Sequence, residues 1–407
     1  IKETRRVTIA DNQRPREAHD GFRPTRMDQV QPAMIAVIGN LIREVPGTIS
    51  LGQGVVRYPP PPEAIEAVRA TLDRPSTHGY DDGTGLPSLR TAIAQKLRTD
   101  NRIDVEKGSR IMVTAGANMA FVHAVLATTC PGDEIVLPLP FYFNHEMAVR
   151  MAGCRAVCVP TDDRYQLRAG AISDALTSRT RAIVTISPNN PSGAVLGEDS
   201  LRQVNRLCAE RGLYHISDEP YEYFTYGSAR HVSPGSFPEA AAHTISLFSL
   251  SKAYGMAGWR VGYMVYPEHL APALIKSQDT ILICPTIAAQ IAAAAALDVG
   301  RAYCEPHIRE LSAIRDIVFE RLAELGDLIS VPVADGAFYI LLRVDTGMEP
   351  LSLAERLIRE HKVAVIPGTT FGMTEGCYLR VAFGALERDT VAVGVGRLVE
   401  GLRAICG

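Results

Sequence analysis

The stretch Thr244–Tyr263, TISLFSLSKAYGMAGWRVGY, is the one that decides the fold. It begins as a β-branched and apolar run, the mark of a buried strand. It then passes through Ser249, Leu250, Ser251 and Lys252 into a turn punctuated by Gly255 and Gly258, and reaches Arg260 and Gly262. Lysine ordinarily sits in solvent, yet Lys252 is held between a small hydroxyl residue and a glycine turn, with apolar segments on either side. A desolvated lysine, or one set beside another cation, has a lowered pKa and can form a Schiff base. Arg260, eight residues on, is a fixed cation suited to a phosphate, and Ser249 and Ser251 can donate hydrogen bonds to the same group.

Together these residues look like the lysine site of a pyridoxal-phosphate enzyme. The pattern Ser-x-Ser-Lys-x-x-Gly-x-x-Gly-x-Arg-x-Gly resembles the class I/II aminotransferases, the fold-type I family, and further motifs in the family's order extend the resemblance from Ile49 to Phe383. It implies an α/β fold whose large domain holds a mostly parallel seven-stranded sheet sandwiched by helices, with a smaller α+β domain beside it. The expected division is an N-terminal arm at 1–30, a small domain from 31–60 and 305–407, and a large cofactor-binding domain at 61–304.

Upstream of the lysine, Ile111–Thr114 reads as a strand and Asn118–Thr129 as a helix, joined by Ala115-Gly116-Ala117. Small residues let backbone N–H groups at a helix N-terminus approach an anion, so Ala117 and Asn118 are candidate phosphate donors. A strand Glu134–Leu137, ending at Pro138 and Pro140, leads to Phe141, Tyr142 and Phe143. The resemblance places an aromatic there against the cofactor ring; Tyr142 aligns best, with its two neighbours as competitors. The buried run Arg181–Ser187 delivers Asn189-Asn190-Pro191-Ser192-Gly193, and Leu213–Ser217 delivers Asp218-Glu219-Pro220-Tyr221. In the family, Asn190 and Tyr221 would share the cofactor's phenolic oxygen and Asp218 would face the pyridine nitrogen.

Two further loops and one strand complete the set. Ile49–Gly54 runs into glycines, and the resemblance puts Gly54 close to the substrate carboxylate; Val56-Arg57-Tyr58 replaces the family's usual Pro-Asp-Phe, and alone Arg57 reads as an exposed loop residue. His78–Gly85 resembles a segment whose tyrosine, here Tyr80, reaches the phosphate of a partner subunit; alone it reads as packing. Arg380 lies in Tyr378-Leu379-Arg380-Val381-Ala382-Phe383, where a charge among apolar neighbours calls for a partner. The resemblance makes that partner the substrate's α-carboxylate, held by a bidentate fork. Helical spacing of Ile308, Leu311, Ile314, Val318, Leu322 and Leu325 predicts a long helix over Glu305–Leu325, and strands are expected near Phe338–Val344, Val363–Ile366 and Cys377–Val381.

With 407 residues, 46% apolar and 21% charged, the chain has room for two domains and a large core. A net charge of −3 points to neither nucleic acid nor anionic membrane, and no apolar run is long enough to span a bilayer. The eight cysteines show no C-x-x-C pair and no zinc spacing, so no metal is expected and a reducing compartment, the cytoplasm, is. The implied function is a pyridoxal 5′-phosphate-dependent aminotransferase. It would move the amino group of an amino acid to a 2-oxo acid by a ping-pong route through pyridoxamine phosphate, in a homodimer with shared sites. A lyase, cyclase or synthase acting at Cβ or Cγ would use the same cofactor residues, and stays as the alternative.

Overall fold

The computed structural model describes residues 25–106, 108–332 and 334–407, so the 1–30 arm lies outside the described residues except for 25–30. The stretch that opens the sequence reading forms a strand, Thr244–Ser249, buried along all but its last residue. Burial of consecutive side chains means both faces of the sheet are covered, as in helix-sandwiched parallel sheets. Numbered in chain order, the seven strands of this sheet are β1 Ser109–Thr114, β2 Glu134–Leu139, β3 Arg155–Pro160, β4 Thr180–Ile186, β5 Tyr214–Asp218, β6 Thr244–Ser249 and β7 Gly262–Pro267. Their spatial order is β1-β7-β6-β5-β4-β2-β3. All neighbours are parallel except β7, which runs antiparallel to both β1 and β6.

Register places the chemistry. Ile186, Asp218 and Leu247 lie side by side at the carboxyl ends of β4, β5 and β6. The segments that follow these strands therefore leave the sheet at one edge, where α/β folds bind their ligands. Because β7 runs the other way, its first residue, Gly262, stands opposite Ser249 and Thr114 at that edge. Arg260 thus arrives beside the end of β6, and the helix Ala117–Thr128 starts beside the end of β1.

Three expected boundaries shift for physical reasons. Strand β2 continues through Pro138 to Leu139, because its pairing with β4 ends at Val136 and only β3 is hydrogen-bonded beyond that point. The expected strand Val363–Ile366 is two pieces: Val363–Ala364 pairs parallel with Ile49–Ser50, and Ile366–Pro367 joins a second sheet. The long helix starts at Arg301, four residues earlier than expected, and carries Pro306 inside it, where proline removes one intrahelical bond.

The second sheet holds β8 Ile329–Ser330, β9 Tyr339–Val344, β10 Ile366–Pro367 and β11 Cys377–Ala382 in the order β10-β11-β9-β8, all antiparallel. Arg380 on β11 stands between Leu341 and Ile366, and Tyr339 pairs with Ala382. The helix Arg388–Cys406 packs on the long helix Arg301–Ala323 and the helix Pro350–His361, with Val391, Val395, Leu398 and Leu402 buried.

Candidate active site

A cleft of about 560 Å³ at the carboxyl edge of the large sheet is lined by Ala117, Asn118, Tyr142, Asn190, Asp218, Tyr221, Ser249, Ser251, Lys252 and Arg260, with Ile186 and Pro220. Ten of the eleven residues expected to touch the cofactor thus meet in one place, although they come from five stretches of the chain. Arg380 and Gly54 lie one hydrogen bond behind it. Arg380 Nη1 donates to Asn190 Oδ1 at 2.9 Å and Nη2 to the Gly52 carbonyl at 2.6 Å, while the Lys252 amine donates to the Gly54 carbonyl. Tyr80 stands apart, 81% exposed.

At one end of the cleft the Arg260 guanidinium lies against Gly116. A Cβ on Gly116 would come within 2.7 Å of Arg260 Nη2, and its φ of +80° suits glycine. Arg260 Nη1 donates to the Ala257 carbonyl at 2.9 Å, which holds the guanidinium beside the N-terminus of the helix that begins at Ala117. A cation, a helix N-terminus and the hydroxyls of Ser249 and Ser251 are groups that together suit an anion such as a phosphate.

At the other end Asp218 is buried, and only its Oδ2 is engaged, 3.1 Å from His145 Nε2. Among the described residues its Oδ1 has no hydrogen-bond partner. A buried carboxylate oxygen left bare is costly, and a donor in the cleft would relieve that cost. Lys252 stands in the same cleft, half-buried. Desolvation first, then the charges of Arg380 and Arg260, lower its pKa to about 8 against the opposing pull of Asp218. The amine is therefore far more often neutral near pH 7 than an ordinary lysine.

The hydroxyl of Tyr221 accepts from Asn190 Nδ2 at 3.4 Å and meets the Tyr339 hydroxyl at 2.8 Å. Burial holds the Tyr221 phenol well above its ordinary pKa, so it keeps its proton. Of the three aromatic candidates, Tyr142 lines the cleft, Phe141 is buried in the core under the sheet, and Phe143 packs edge-on against Phe371. The Arg380 guanidinium sits between the rings of Tyr339 and Phe371, 4.8 and 4.9 Å from their centroids.

Three residues of this site escape the sequence reading. His145 reaches Asp218 from the first turn of the helix Phe143–Met151, stacked on Phe121 at 4.0 Å. Tyr58 donates to the carbonyls of Lys252 and Ala253 at 2.9 and 3.3 Å, fixing the backbone that carries the amine. Tyr339 lies in a strand that reads as plain core. Arg57 is not a free loop arginine: it pairs with Glu310 and, at 3.0 Å, with Glu387, pinning the Gly54–Tyr58 loop.

This fold and this cleft are those of a transferase family. The chain matches aminotransferase class I and II over residues 46–398 and belongs to that family. It is 35% identical to the aromatic aminotransferase ISS1 of Arabidopsis thaliana, over 91% of this chain and 94% of that protein. It is 34% identical to an aspartate aminotransferase of Pyrococcus abyssi, over 88% of this chain and 92% of the relative. Among solved structures, aspartate aminotransferase from Thermus thermophilus with maleate superposes with a TM-score of 0.85 at 30% identity, covering 93% of this chain and all of that one. Aromatic aminotransferase from Pyrococcus horikoshii gives 0.83 at 34%, covering 90% and 99%. The protein is an amino-acid aminotransferase of fold type I.

Proposed function

We propose that the cleft binds pyridoxal 5′-phosphate through Lys252 and uses it to move the amino group of a free α-amino acid to a 2-oxo acid. The observation that carries this reading is the sequence of groups along one cleft: a bare, buried Asp218 oxygen, a lysine with a lowered pKa, and a cationic cradle at Arg260. A molecule with a protonated ring nitrogen, an aldehyde and a phosphate satisfies all three. When bound, that group supplies the aldehyde for amine exchange and a ring that takes up the electrons of the substrate Cα–H bond.

The residues of this chain supply the rest. Arg260, Ser249, Ser251 and the N–H groups at Ala117 and Asn118 would hold the phosphate. Asp218, backed by His145, keeps a proton on the ring nitrogen, because an adjacent carboxylate favours the charged form. Tyr221 and Asn190 would donate to the phenolic oxygen, and Tyr142 would lie against the ring. The Lys252 amine would take and return the proton at the substrate's Cα. Arg380 and the loop at Gly54 orient the substrate by its α-carboxylate. The relatives named above act, by their names, on aspartate and on aromatic amino acids, so these two classes are the first to assay here.

Tyr80 fits a shared site in a homodimer, since it lies outside its own chain's cleft and is open to a partner. All eight cysteines are free thiols, which supports a reducing compartment such as the cytoplasm. Borohydride reduction of protein loaded with pyridoxal 5′-phosphate should fix the cofactor to Lys252, as read by peptide mapping. An adduct on a different lysine, or none, overturns the assignment.

A further inference from the structure

Donor and acceptor logic around Tyr221 goes beyond these roles. Arginine only donates, so the oxygen of the Asn190 amide faces Arg380 at 2.9 Å and its nitrogen is turned toward Tyr221. Asn190 therefore uses up one lone pair of the Tyr221 oxygen. The second close neighbour of that oxygen is the Tyr339 hydroxyl, 2.8 Å away. Among the described residues Tyr221 is the one hydrogen-bond partner of the Tyr339 hydroxyl, and Tyr339 is wholly buried. If Tyr221 donated to Tyr339, the Tyr339 hydrogen would be left buried without an acceptor, at a cost. If Tyr339 donates, every group is satisfied once the cleft offers one acceptor to Tyr221.

We propose that Tyr339 is a positioning residue that locks Tyr221 as a hydrogen-bond donor into the cleft. Two donors on the Tyr221 oxygen leave its single hydrogen one direction, toward the cleft that Tyr221 lines and Tyr339 does not. Hydrogen bonds in such a chain polarise one another, so donation by Tyr339 also makes Tyr221 the stronger donor. The Tyr339 ring is held at both edges of this arrangement. Its face lies against the Arg380 guanidinium, and a Cβ on Gly54 would stand 2.5 Å from its hydroxyl. The same side chain therefore touches both Tyr221 and the group that would take the substrate carboxylate.

The inference rests on the cofactor reading above, and its test separates the two. In protein loaded with pyridoxal 5′-phosphate, the absorbance of the bound cofactor changes with pH as the proton shared with its phenolic oxygen is lost. A donor to that oxygen stabilises the deprotonated form and lowers the midpoint. Tyr221→Phe should raise the midpoint by about 1–2 pH units, the scale of a charge-assisted hydrogen bond. Tyr339→Phe, which keeps the ring over Arg380, should raise it by about half a unit. The double variant should match Tyr221→Phe alone, because Tyr339 acts only through Tyr221. Gly54→Ala crowds the same hydroxyl without removing it and should move the midpoint the same way. Thermal melts check that each variant is folded, a readout on which a purely structural role would show while the midpoint stayed put. A parent protein without a pH-dependent band overturns the cofactor reading and this inference with it. A band in the parent whose midpoint is unmoved in both Tyr339→Phe and Gly54→Ala, or full additivity in the double variant, overturns the inference alone.

Discussion

Lys96 and Arg380 are both buried cations, 6% and 2% exposed, and the fold treats them in opposite ways. Lys96 is fully met. Its amine pairs with Glu222 at 2.5 Å, donates to Asn101 at 2.8 Å and lies over the rings of Tyr223 and Phe248. Asn101 in turn donates to Glu222 and Ser233, and Ser233 donates to Glu219, which also meets His231. Arg380 meets no carboxylate among the described residues. Its partners are an amide oxygen and a backbone carbonyl, and its Nε has none. Burial therefore pushes its pKa down, against the pull of neighbouring tyrosines. A cation that is already paired is a structural element. A cation that is desolvated and supplied only with neutral acceptors is prepared for an anion that arrives from outside.

That contrast can be broken at several points. The largest effect on stability is expected at Lys96. Lys96→Met leaves Glu222 buried without its charge partner and should cost about 3–5 kcal/mol, measured by urea unfolding. A cost below about 1 kcal/mol would mean the pair is not the anchor it looks like. The double variant Lys96→Met with Glu222→Leu should recover much of that loss, since an apolar pair of similar volume often replaces a buried ion pair without penalty.

Arg380→Ala should show the reverse profile. It is expected to keep most of the stability and to lose about 2–5 kcal/mol of transition-state binding on α-amino acids, two orders of magnitude or more in kcat/KM. Matched amines that lack the carboxylate should be affected far less. Arg380→Lys keeps the charge but not the fork, and should stay clearly impaired. Equal losses on acids and amines would end the distinction drawn between the two cations.

The smallest effect concerns Lys252, which stands between the extremes. Its folded pKa, about 8, lies below its ordinary 10.5, so between those values the unfolded chain binds more protons than the folded one. Stability then rises with pH across that window, and the cost of burying the charged amine is fully present below it. In cofactor-free protein, the difference in unfolding free energy between Lys252→Met and the parent should be largest below about pH 8 and shrink toward pH 10.5. A difference that is flat with pH would show that the amine is not desolvated as the geometry indicates.

Local chemistry explains what was legible early. Strand β6, the glycine turn and Arg260 could be read in order because a buried strand, a turn and a cation just beyond it each have a signature within a few residues. The same holds for Asn190, Asp218 and Tyr221, which end strands at places marked by proline or by a change of polarity. His145 was not legible, because a histidine in a helix gives no sign of the carboxylate it meets 73 positions later in the chain. Arg57 read as a loop residue for the same reason: its acids, Glu310 and Glu387, are more than 250 residues away.

By itself the sequence determined the class of fold, through the family its motifs resemble, and it named the lysine, the arginine and the strand-end groups as candidates, because each motif lies within one segment. Only the tertiary structure decided which oxygen of Asp218 is left bare, that Arg380 is buried without an acid, that Lys96 has one, and that Tyr339 faces Tyr221. The physical reason is that burial and hydrogen-bond direction belong to pairs of groups brought together by strand register and by the meeting of two sheets. A residue's own neighbours in the chain carry no record of either.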